Sequence, residues 1–270
     1  MMERSITVDK ERCTHCGQCV KDCFIGCLVM GNDNIPCYAD GYGHNCVGCQ
    51  HCMAVCPTGA LSFGEVNQDE LSETGYGDPD EIMNLIRSRR SIRRYKKQDV
   101  PSEKLEMIRQ MLAYSPTTAN LPDLHFSIIG TREKMDAIRE ATYKNVKTSG
   151  PASSLYQFSY NGWLQGEDMI YRDAPSMVVA AVNSRMLGDE TLKTVDPIIA
   201  LSYVDLYAQS LGLGTLWDYA AFQVLRSYLD VLHMTGIPKG YKLSFVLLLG
   251  VPDVKYRRVA KKEPASVKII

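Results

Sequence analysis

Apolar residues recur at helical spacing in three stretches of the chain beyond residue 78. A residue suited to a first helical turn precedes each stretch: Asp78-Pro79, Ser102 and Asp196-Pro197. Gly212 suits the end of the third helix. The apolar faces consist of Ile82, Leu85 and Ile86, then Leu105, Ile108 and Leu112, then Ile198, Leu201, Val204 and Leu211. We predict a helix for each stretch and another over residues 222–234.

Continuous apolar runs predict buried strands. They lie at residues 125–131 (HFSIIGT), 176–183 (SMVVAAVN) and 243–250 (LSFVLLLG). No run approaches the length needed to span a membrane, so no membrane partner is expected. Helices and strands are mixed without strict alternation, which is typical of an α+β fold with a sheet and packed helices.

The first 65 residues follow a different pattern, which is set by cysteine. Eight of the ten cysteines form two copies of one spacing: Cys13, Cys16, Cys19 and Cys23, then Cys46, Cys49, Cys52 and Cys56. Three thiolates at every third position can reach three corners of a cubane cluster, but their loop cannot deliver its own fourth cysteine to that cluster. We therefore predict two [4Fe-4S] clusters with exchanged fourth ligands. Their ligands would be Cys13, Cys16, Cys19 and Cys56 for one, and Cys46, Cys49, Cys52 and Cys23 for the other.

Disulfides and zinc are the alternative interpretations of these cysteines. The N-terminal segment MMERSITVDKERC has no apolar stretch typical of a secretory signal, so we expect a cytoplasmic, reducing location. A third cysteine in each repeat has no use in one tetrahedral zinc site. Phe24 stands where the bacterial ferredoxin pattern has proline. Cys27 and Cys37 are interpreted as small buried residues rather than ligands, and the nearby histidines as loop residues.

Composition indicates an ordinary globular protein of about two domains. The chain has 270 residues, 45% of them hydrophobic, and a formal net charge of −1. Basic runs at 87–97 and 255–268 suit a solvated face, and a near-neutral chain does not favour nucleic-acid binding. The segment 65–79 (EVNQDELSETGYGDP) is polar and contains glycine, which indicates a linker. We predict a ferredoxin-like domain at 1–65, a polar linker at 66–79 and a second domain at 80–270.

The second domain carries a series of short motifs. In order they are residues 88–95 (SRRSIRRY), 115–120 (SPTTAN) before His125-Phe126, 173–175 (DAP), 212–215 (GLGT) with Trp217, 236–241 (GIPKGY), 249–252 (LGVP) and 256–258 (YRR). Their order and spacing over residues 80–270 resemble the FMN-dependent nitroreductase family. The whole chain resembles the ferredoxin-fused branch of that family found in anaerobes. The resemblance implies a nitroreductase-like mixed sheet with packed helices.

The resemblance also implies which residues hold FMN. A guanidinium offers paired donors to a phosphate, so Arg89 and one of Arg257 or Arg258 are expected to clamp the FMN phosphate. Ser91 adds a hydroxyl donor, and Arg90 belongs to the same motif. By similarity, Arg93 faces the pyrimidine edge of the flavin, where positive charge stabilises the reduced ring. The alternative is a basic helix C-terminus favoured by the helix dipole.

Two further segments take expected roles from the family. Pro116, Thr117, Thr118 and Asn120 match a loop that reaches the flavin of the other subunit, which implies a homodimer. The turn formed by Trp217, Asp218, Tyr219 and Ala220 matches the one near flavin N5, although it lacks the glycine frequent there. No acid–base dyad is expected because the flavin carries the difficult chemistry. The aromatic residues of segment 146–172 suit either a cover over the site or dimer packing.

Together the halves predict an FMN-dependent reductase. Clusters pass single electrons, and reduction of a nitroaromatic, quinone or activated alkene needs pairs, so FMN would convert between them. Reduced ferredoxin or NAD(P)H would be the donor. The alternatives are an electron carrier that serves a protein partner and a flavin-binding protein without catalysis.

Overall fold

The computed structural model describes residues 5–148, 154–185 and 191–270. The chain divides into two compact units. Unit 1 comprises the residues up to Tyr76 together with Thr117–Pro122, and unit 2 comprises Gly77–Pro116 and Asp123–Ile270. The division after Tyr76 falls inside the segment predicted as a linker. Part of that segment is ordered, because the Asn67 side chain accepts a hydrogen bond from the Asp69 backbone at the start of a 3-10 turn.

Unit 1 is built from very short elements. Its strands are β1 (Ile6–Val8), β2 (Leu28–Met30), β3 (Pro36–Tyr38) and β4 (Leu61–Phe63), and its helices are α1 (Gln18–Lys21) and α2 (His51–Ala54). Two antiparallel pairs form, β1 with β4 and β2 with β3. The small core contains Leu28, Met53, Leu61 and Phe63. With strands of three residues, little of this unit's structure comes from sheet pairing.

Unit 2 is organised around one sheet. Its strands are β5 (Leu124–Ile129), β6 (Ser176–Asn183), β7 (Gly214–Trp217) and β8 (Tyr241–Gly250). They lie in the order β5-β6-β8-β7, each antiparallel to its neighbour. A parallel bridge joins Ser91 to Thr215 beside β7. Nearly all of β6 is buried, which explains why its sequence is a continuous apolar run.

Helices cover both faces of this sheet. They are α3 (Pro79–Ser88), α4 (Ser102–Leu112), α5 (Arg132–Thr148), α6 (Ser154–Leu164), α7 (Leu192–Ser210), α8 (Tyr219–Ser227) and α9 (Leu229–Met234). Met177, Val179 and Ala181 of β6 pack with α5 and α8, and the alternate residues Val178 and Ala180 pack with α4 and α7. The α+β fold predicted from the sequence is confirmed.

Three of the predicted helix boundaries need correction. Helix α7 begins at Leu192, so Pro197 lies inside it rather than in its first turn. Ser102 is the first residue of α4 and Pro101 its cap, without a side-chain capping bond. The helix predicted over 222–234 is two helices, because Tyr228 has extended backbone angles. Asp78 does cap α3, accepting hydrogen bonds from the Asp80 and Glu81 backbones.

A helix that crosses a membrane needs about 20 mostly apolar residues. Within the described part of the chain, no helix is both long enough and apolar enough to cross a membrane.

Candidate functional site

The first cavity of unit 1 collects cysteines from both repeats. Cys13, Cys16 and Cys19 line it together with Cys56 from the second repeat. The Ala60 backbone N–H donates to Cys56 Sγ over 3.2 Å. Burial alone would raise the pKa of Cys56, but backbone hydrogen bonds from Ala60 and Thr58 outweigh it and lower this pKa. The thiolate form required of an iron ligand is thereby favoured.

The second cavity has the complementary set. Cys46, Cys49 and Cys52 line it with Cys23 from the first repeat. Burial again opposes ionisation of Cys23, and hydrogen bonds from Cys27 and from neighbouring backbone groups outweigh it, so its pKa is lowered. The structure therefore brings the eight predicted ligands together in two groups, each with one cysteine from the other repeat.

The remaining two cysteines differ from each other. Cys27 is 2% exposed and contributes to the wall of the second cavity, with its Sγ 3.6 Å from Cys23 Sγ. Cys37 is exposed, which corrects the expectation that it is buried. Side chains alternate across a strand, and in β3 Pro36 takes the buried position while Cys37 points outward.

The positions of the cysteine side chains suit an iron–sulfur cluster better than a single zinc ion. Ligands of one zinc ion all lie about 2.3 Å from it and so crowd together. Among the described residues, no three Cys, His, Asp or Glu side chains are close enough to share one metal ion. Two nearby histidines have other partners, since the ring of His15 hydrogen bonds the Asn34 carbonyl and that of His51 contacts Asp22. Four thiols around a cavity suit a cubane, whose ligands are farther apart.

One predicted flavin residue instead contacts a cysteine loop of unit 1. The Asn120 side-chain amide donates to the Val47 carbonyl over 3.0 Å, and Val47 lies between Cys46 and Cys49 in sequence. Ala119 and Asn120 both adopt left-handed backbone angles. Thr117 and Thr118 are half-buried and Pro116 is exposed. The contact of Asn120 with Val47 was not foreseen from the sequence, because no local pattern pairs such distant residues.

In unit 2, three of the sequence motifs come together beside β7 and the end of β8. The Ile92 backbone N–H donates to Thr215 O over 2.8 Å, and Lys96 N–H donates to Val251 O over 2.9 Å. Gly214 permits this approach, because a Cβ there would lie 2.5 Å from a side-chain atom of Ile92. The SRRSIRRY motif is thus held next to GLGT and LGVP.

Arg89 is oriented by a buried carboxylate. Its Nε lies 3.7 Å from Asp205 Oδ2 on α7. Asp205 is 5% exposed and also accepts hydrogen bonds from Trp217 Nε1, at 3.0 Å, and from Thr215 Oγ1. The sequence analysis missed Asp205. The signal for it was a carboxylate directly after Val204, on the apolar side of a buried helix.

A cleft of about 270 Å³ lies at the same place. Arg90, Thr215, Lys255 and Tyr256 line it together with the backbone of Gly212–Gly214. Its two cationic side chains, Arg90 and Lys255, are donors suited to a phosphorylated ligand. Arg90 belongs to the SRRSIRRY motif, so this motif contributes directly to the cleft.

The other predicted arginines have different positions. Arg93 is exposed, and its Nη1 donates to the Ser91 carbonyl over 3.3 Å. Arg257 and Arg258 are exposed and follow the residues that line the cleft. Arg89 is half-buried. Sequence reasoning did not anticipate Lys255 as a lining residue.

The turn after β7 is shaped by Asp218. Its carboxylate is buried and accepts from the Ala221 backbone N–H over 2.9 Å, which caps α8. Burial raises the pKa of Asp218 to about 6. Trp217 packs on Phe245, whereas Tyr219 is exposed and Ala220 half-buried. The turn is thus the strand-to-helix junction expected, with its aspartate used as a cap.

Residues 149–153 of segment 146–172 lie outside the described part of the chain. Trp163 of α6 stacks on Tyr143 with ring centroids 4.3 Å apart. Tyr156 lies near Tyr228, with ring centroids 6.4 Å apart, and Tyr160 packs against the core. Phe158 is exposed. Most of these aromatic residues therefore serve packing within unit 2.

Comparison with known proteins gives matches to both units. Residues 86–251 match the Nitroreductase family, and residues 44–62 match the 4Fe-4S binding domain. The second match covers the second cysteine motif, and the first motif lies outside it.

Two curated relatives are described as putative NADH dehydrogenase/NAD(P)H nitroreductase. The one from Methanothermobacter thermautotrophicus is 25% identical over 137 residues, which are 51% of this chain and 60% of the relative. The one from Archaeoglobus fulgidus is 23% identical over 183 residues, 64% of this chain and 86% of the relative. The chain thus spans less than two thirds of the length of the first relative.

A solved structure is similar in fold. The nitroreductase with bound FMN from Bacteroides fragilis has a TM-score of 0.60 and 18% identity, covering 70% of this chain and 98% of its own. The family match extends over more than half of this chain and includes the motifs that meet beside β7. The chain belongs to the Nitroreductase family.

Proposed function

We propose that this protein is an FMN-dependent oxidoreductase that takes electrons through two [4Fe-4S] clusters and reduces a small conjugated acceptor. The observation that carries the proposal is the pair of cysteine cavities in unit 1, on the same chain as a nitroreductase unit. A nitroreductase unit alone would need no such cysteines. Nitroaromatics, quinones and activated alkenes are the proposed acceptor classes, because a reduced flavin can deliver the two-electron units in which their reduction usually proceeds.

Different residues of the chain would hold the two clusters and the FMN. Cys13, Cys16, Cys19 and Cys56 would hold one cluster, and the set completed by Cys23 the other. When bound, the clusters supply single electrons and FMN exchanges both single electrons and pairs. The FMN of the Bacteroides structure supports the choice of flavin.

The cleft beside β7 is proposed to hold the FMN phosphate. Arg90 and Lys255, which line the cleft, would supply donors. Arg89, Ser91 and one of Arg257 or Arg258, which adjoin the lining residues in sequence, would supply the others. The Asp205 carboxylate, 3.7 Å from Arg89 Nε, would fix the orientation of the Arg89 side chain. The exposed Arg93 leaves a guanidinium available to stabilise negative charge on a ligand.

The electron donor, the oligomeric state and the cellular location are also proposed. The names of the two curated relatives favour NADH or NADPH as the donor, whereas the cysteine cavities favour a one-electron donor such as reduced ferredoxin. We propose ferredoxin as the main donor, and a homodimer as the assembly. We place the protein in the cytoplasm, because eight unpaired cysteine thiols are kept reduced in a reducing compartment.

An anaerobic preparation of the full chain tests the proposal. We expect about eight iron atoms per chain, four for each cluster, and one FMN. Reduced ferredoxin should bleach the flavin absorbance faster than NADH or NADPH, and a nitroaromatic or quinone should restore it. About four iron atoms would remove one cluster, absence of flavin would remove the reductase, and bleaching without reoxidation by small acceptors would favour an electron carrier.

A further inference from the structure

The two fourth ligands of unit 1 lie in equivalent segments that bring different side chains next to the ligand sulfur. The segment from Cys56 to Leu61 repeats the segment from Cys23 to Leu28 position by position. Gly59 corresponds to Gly26, and both have left-handed backbone angles, with φ of 62° and 71°. Ala60 therefore occupies the position that Cys27 occupies in the first repeat.

This difference puts an extra sulfur beside only one of the two ligands. Cys27 Sγ lies 3.6 Å from Cys23 Sγ, within hydrogen-bonding distance for sulfur. At Cys56 the corresponding residue offers a methyl group. The Cys56 sulfur accepts from the Ala60 backbone N–H, and Thr58 Oγ1 lies 3.9 Å from it. Cys27 is buried, at 2% exposure, so water would not replace its S–H group.

The direction of the sulfur–sulfur hydrogen bond follows from the chemistry of a ligand. A cysteine bound to iron is a thiolate and has no proton to give. Cys27 must then be the donor, through its S–H group. Hydrogen bonds to cluster sulfurs are among the factors that set cluster potentials, because they stabilise the more negative, reduced cluster.

We propose that Cys27 is a positioning residue that raises the reduction potential of the cluster held by Cys46, Cys49, Cys52 and Cys23. The inference rests on the proposed function, since it requires both clusters.

The experiment compares Cys27→Ala with the reciprocal Ala60→Cys in the full chain with both clusters. Midpoint potentials are measured by an anaerobic titration followed by electron paramagnetic resonance. Cys27→Ala should lower one potential, changing the ratio of reduced to oxidised cluster about threefold to tenfold at fixed poise, or about 28 to 59 mV for one electron. The other potential should not move. Ala60→Cys should raise that second potential and leave the first.

A third variant separates hydrogen bonding from packing. Cys27→Ser keeps an O–H donor, so it should retain the higher potential that Cys27→Ala loses. Unchanged potentials in Cys27→Ala, with iron content equal to that of the wild type, would overturn the inference while leaving the proposed function intact. Loss of a cluster in Cys27→Ala but not in Cys23→Ser would show that Cys27 is the ligand and would also overturn it. A chain with only one cluster before any substitution would instead contradict the proposed function.

Discussion

The two units are stabilised in different ways. Unit 1 has strands of three residues, a small apolar core, and eight cysteines arranged around two cavities. Unit 2 has a ten-residue central strand and a sheet buried on both faces. A domain with so small a core usually needs disulfides, a metal centre or oligomerisation to fold. We therefore expect the proposed clusters to be structural as well as redox groups, and we expect the larger core of unit 2 to support folding without a cofactor.

The largest effect is therefore expected from a ligand of unit 1. Cys56→Ser should abolish the cluster of Cys13, Cys16 and Cys19 and remove most amide-exchange protection from unit 1, because metal binding and folding are coupled. Protection in unit 2 should be retained. Hydrogen exchange with mass spectrometry measures both units at once, and iron analysis reports the lost cluster.

The matched control is Cys37→Ser, because Cys37 is exposed and outside both cavities. It should leave iron content and exchange protection unchanged. If Cys56→Ser removed instead the cluster of Cys46, Cys49 and Cys52, the exchanged ligation would be wrong.

Within unit 2, the largest loss of unfolding free energy is expected when a buried ion pair is broken. Arg139 Nε donates to Asp168 Oδ2 over 2.7 Å, with side chains 2% and 1% exposed, and Tyr143 OH donates to Asp168 Oδ1 over 2.9 Å. Asp168→Ala leaves a buried guanidinium without its main partner and should cost about 3–5 kcal/mol of unfolding free energy. Both tryptophans, Trp163 and Trp217, belong to unit 2, so their fluorescence during denaturant unfolding reports this unit.

Asp136→Ala is the control for that measurement. Asp136 contacts the same Arg139, but its side chain is 55% exposed, so its loss should cost about 1 kcal/mol or less. Equal costs for the two variants would mean that burial of the pair does not decide its contribution.

The proposed phosphate contact comes next in size. Arg89→Ala should weaken FMN binding by roughly 1.5–3 kcal/mol, about ten- to a hundredfold, because a charge-assisted hydrogen bond is lost. Flavin fluorescence during titration of the apoprotein gives the affinity. Riboflavin lacks the phosphate, so its affinity should change far less, and equal losses for both flavins would assign Arg89 a purely structural role.

The smallest effect is a dependence of unit 2 stability on pH. The pKa of Asp218 is raised by burial to about 6, so its neutral form stabilises the fold below pH 4 and this contribution disappears as the pH rises through 6. Between pH 5 and pH 8 the wild type should lose roughly 1 to 1.5 kcal/mol from this group. Asp218→Asn keeps a good cap and should lack that loss. Identical pH profiles for the two proteins, measured by tryptophan fluorescence, would count against a buried, proton-binding Asp218.

The same contrast explains which features the sequence could predict. Cysteine spacing is local information, so the ligand groups of unit 1 followed from it, and apolar runs located the buried strands β6 and β8. The contact of Asp205 with Arg89 and that of Asn120 with Val47 join segments that are distant in sequence, which no periodicity reports. Cys23 and Cys27 are only four residues apart, but their sulfur–sulfur contact depends on the shape of a local turn. The start of α7 was predicted wrongly from Pro197, because the helix accommodates this proline in its interior.

The central claim is that unit 1 delivers electrons to the flavin proposed for unit 2. Rapid mixing of the FMN-loaded wild type and Cys56→Ser with reduced ferredoxin, and separately with dithionite, tests it most directly through the rate of flavin bleaching. The account predicts that Cys56→Ser slows bleaching by ferredoxin more than tenfold and leaves bleaching by dithionite nearly unchanged. Equal rates with ferredoxin for the two proteins would contradict the claim and favour an enzyme that receives its electrons from a nicotinamide.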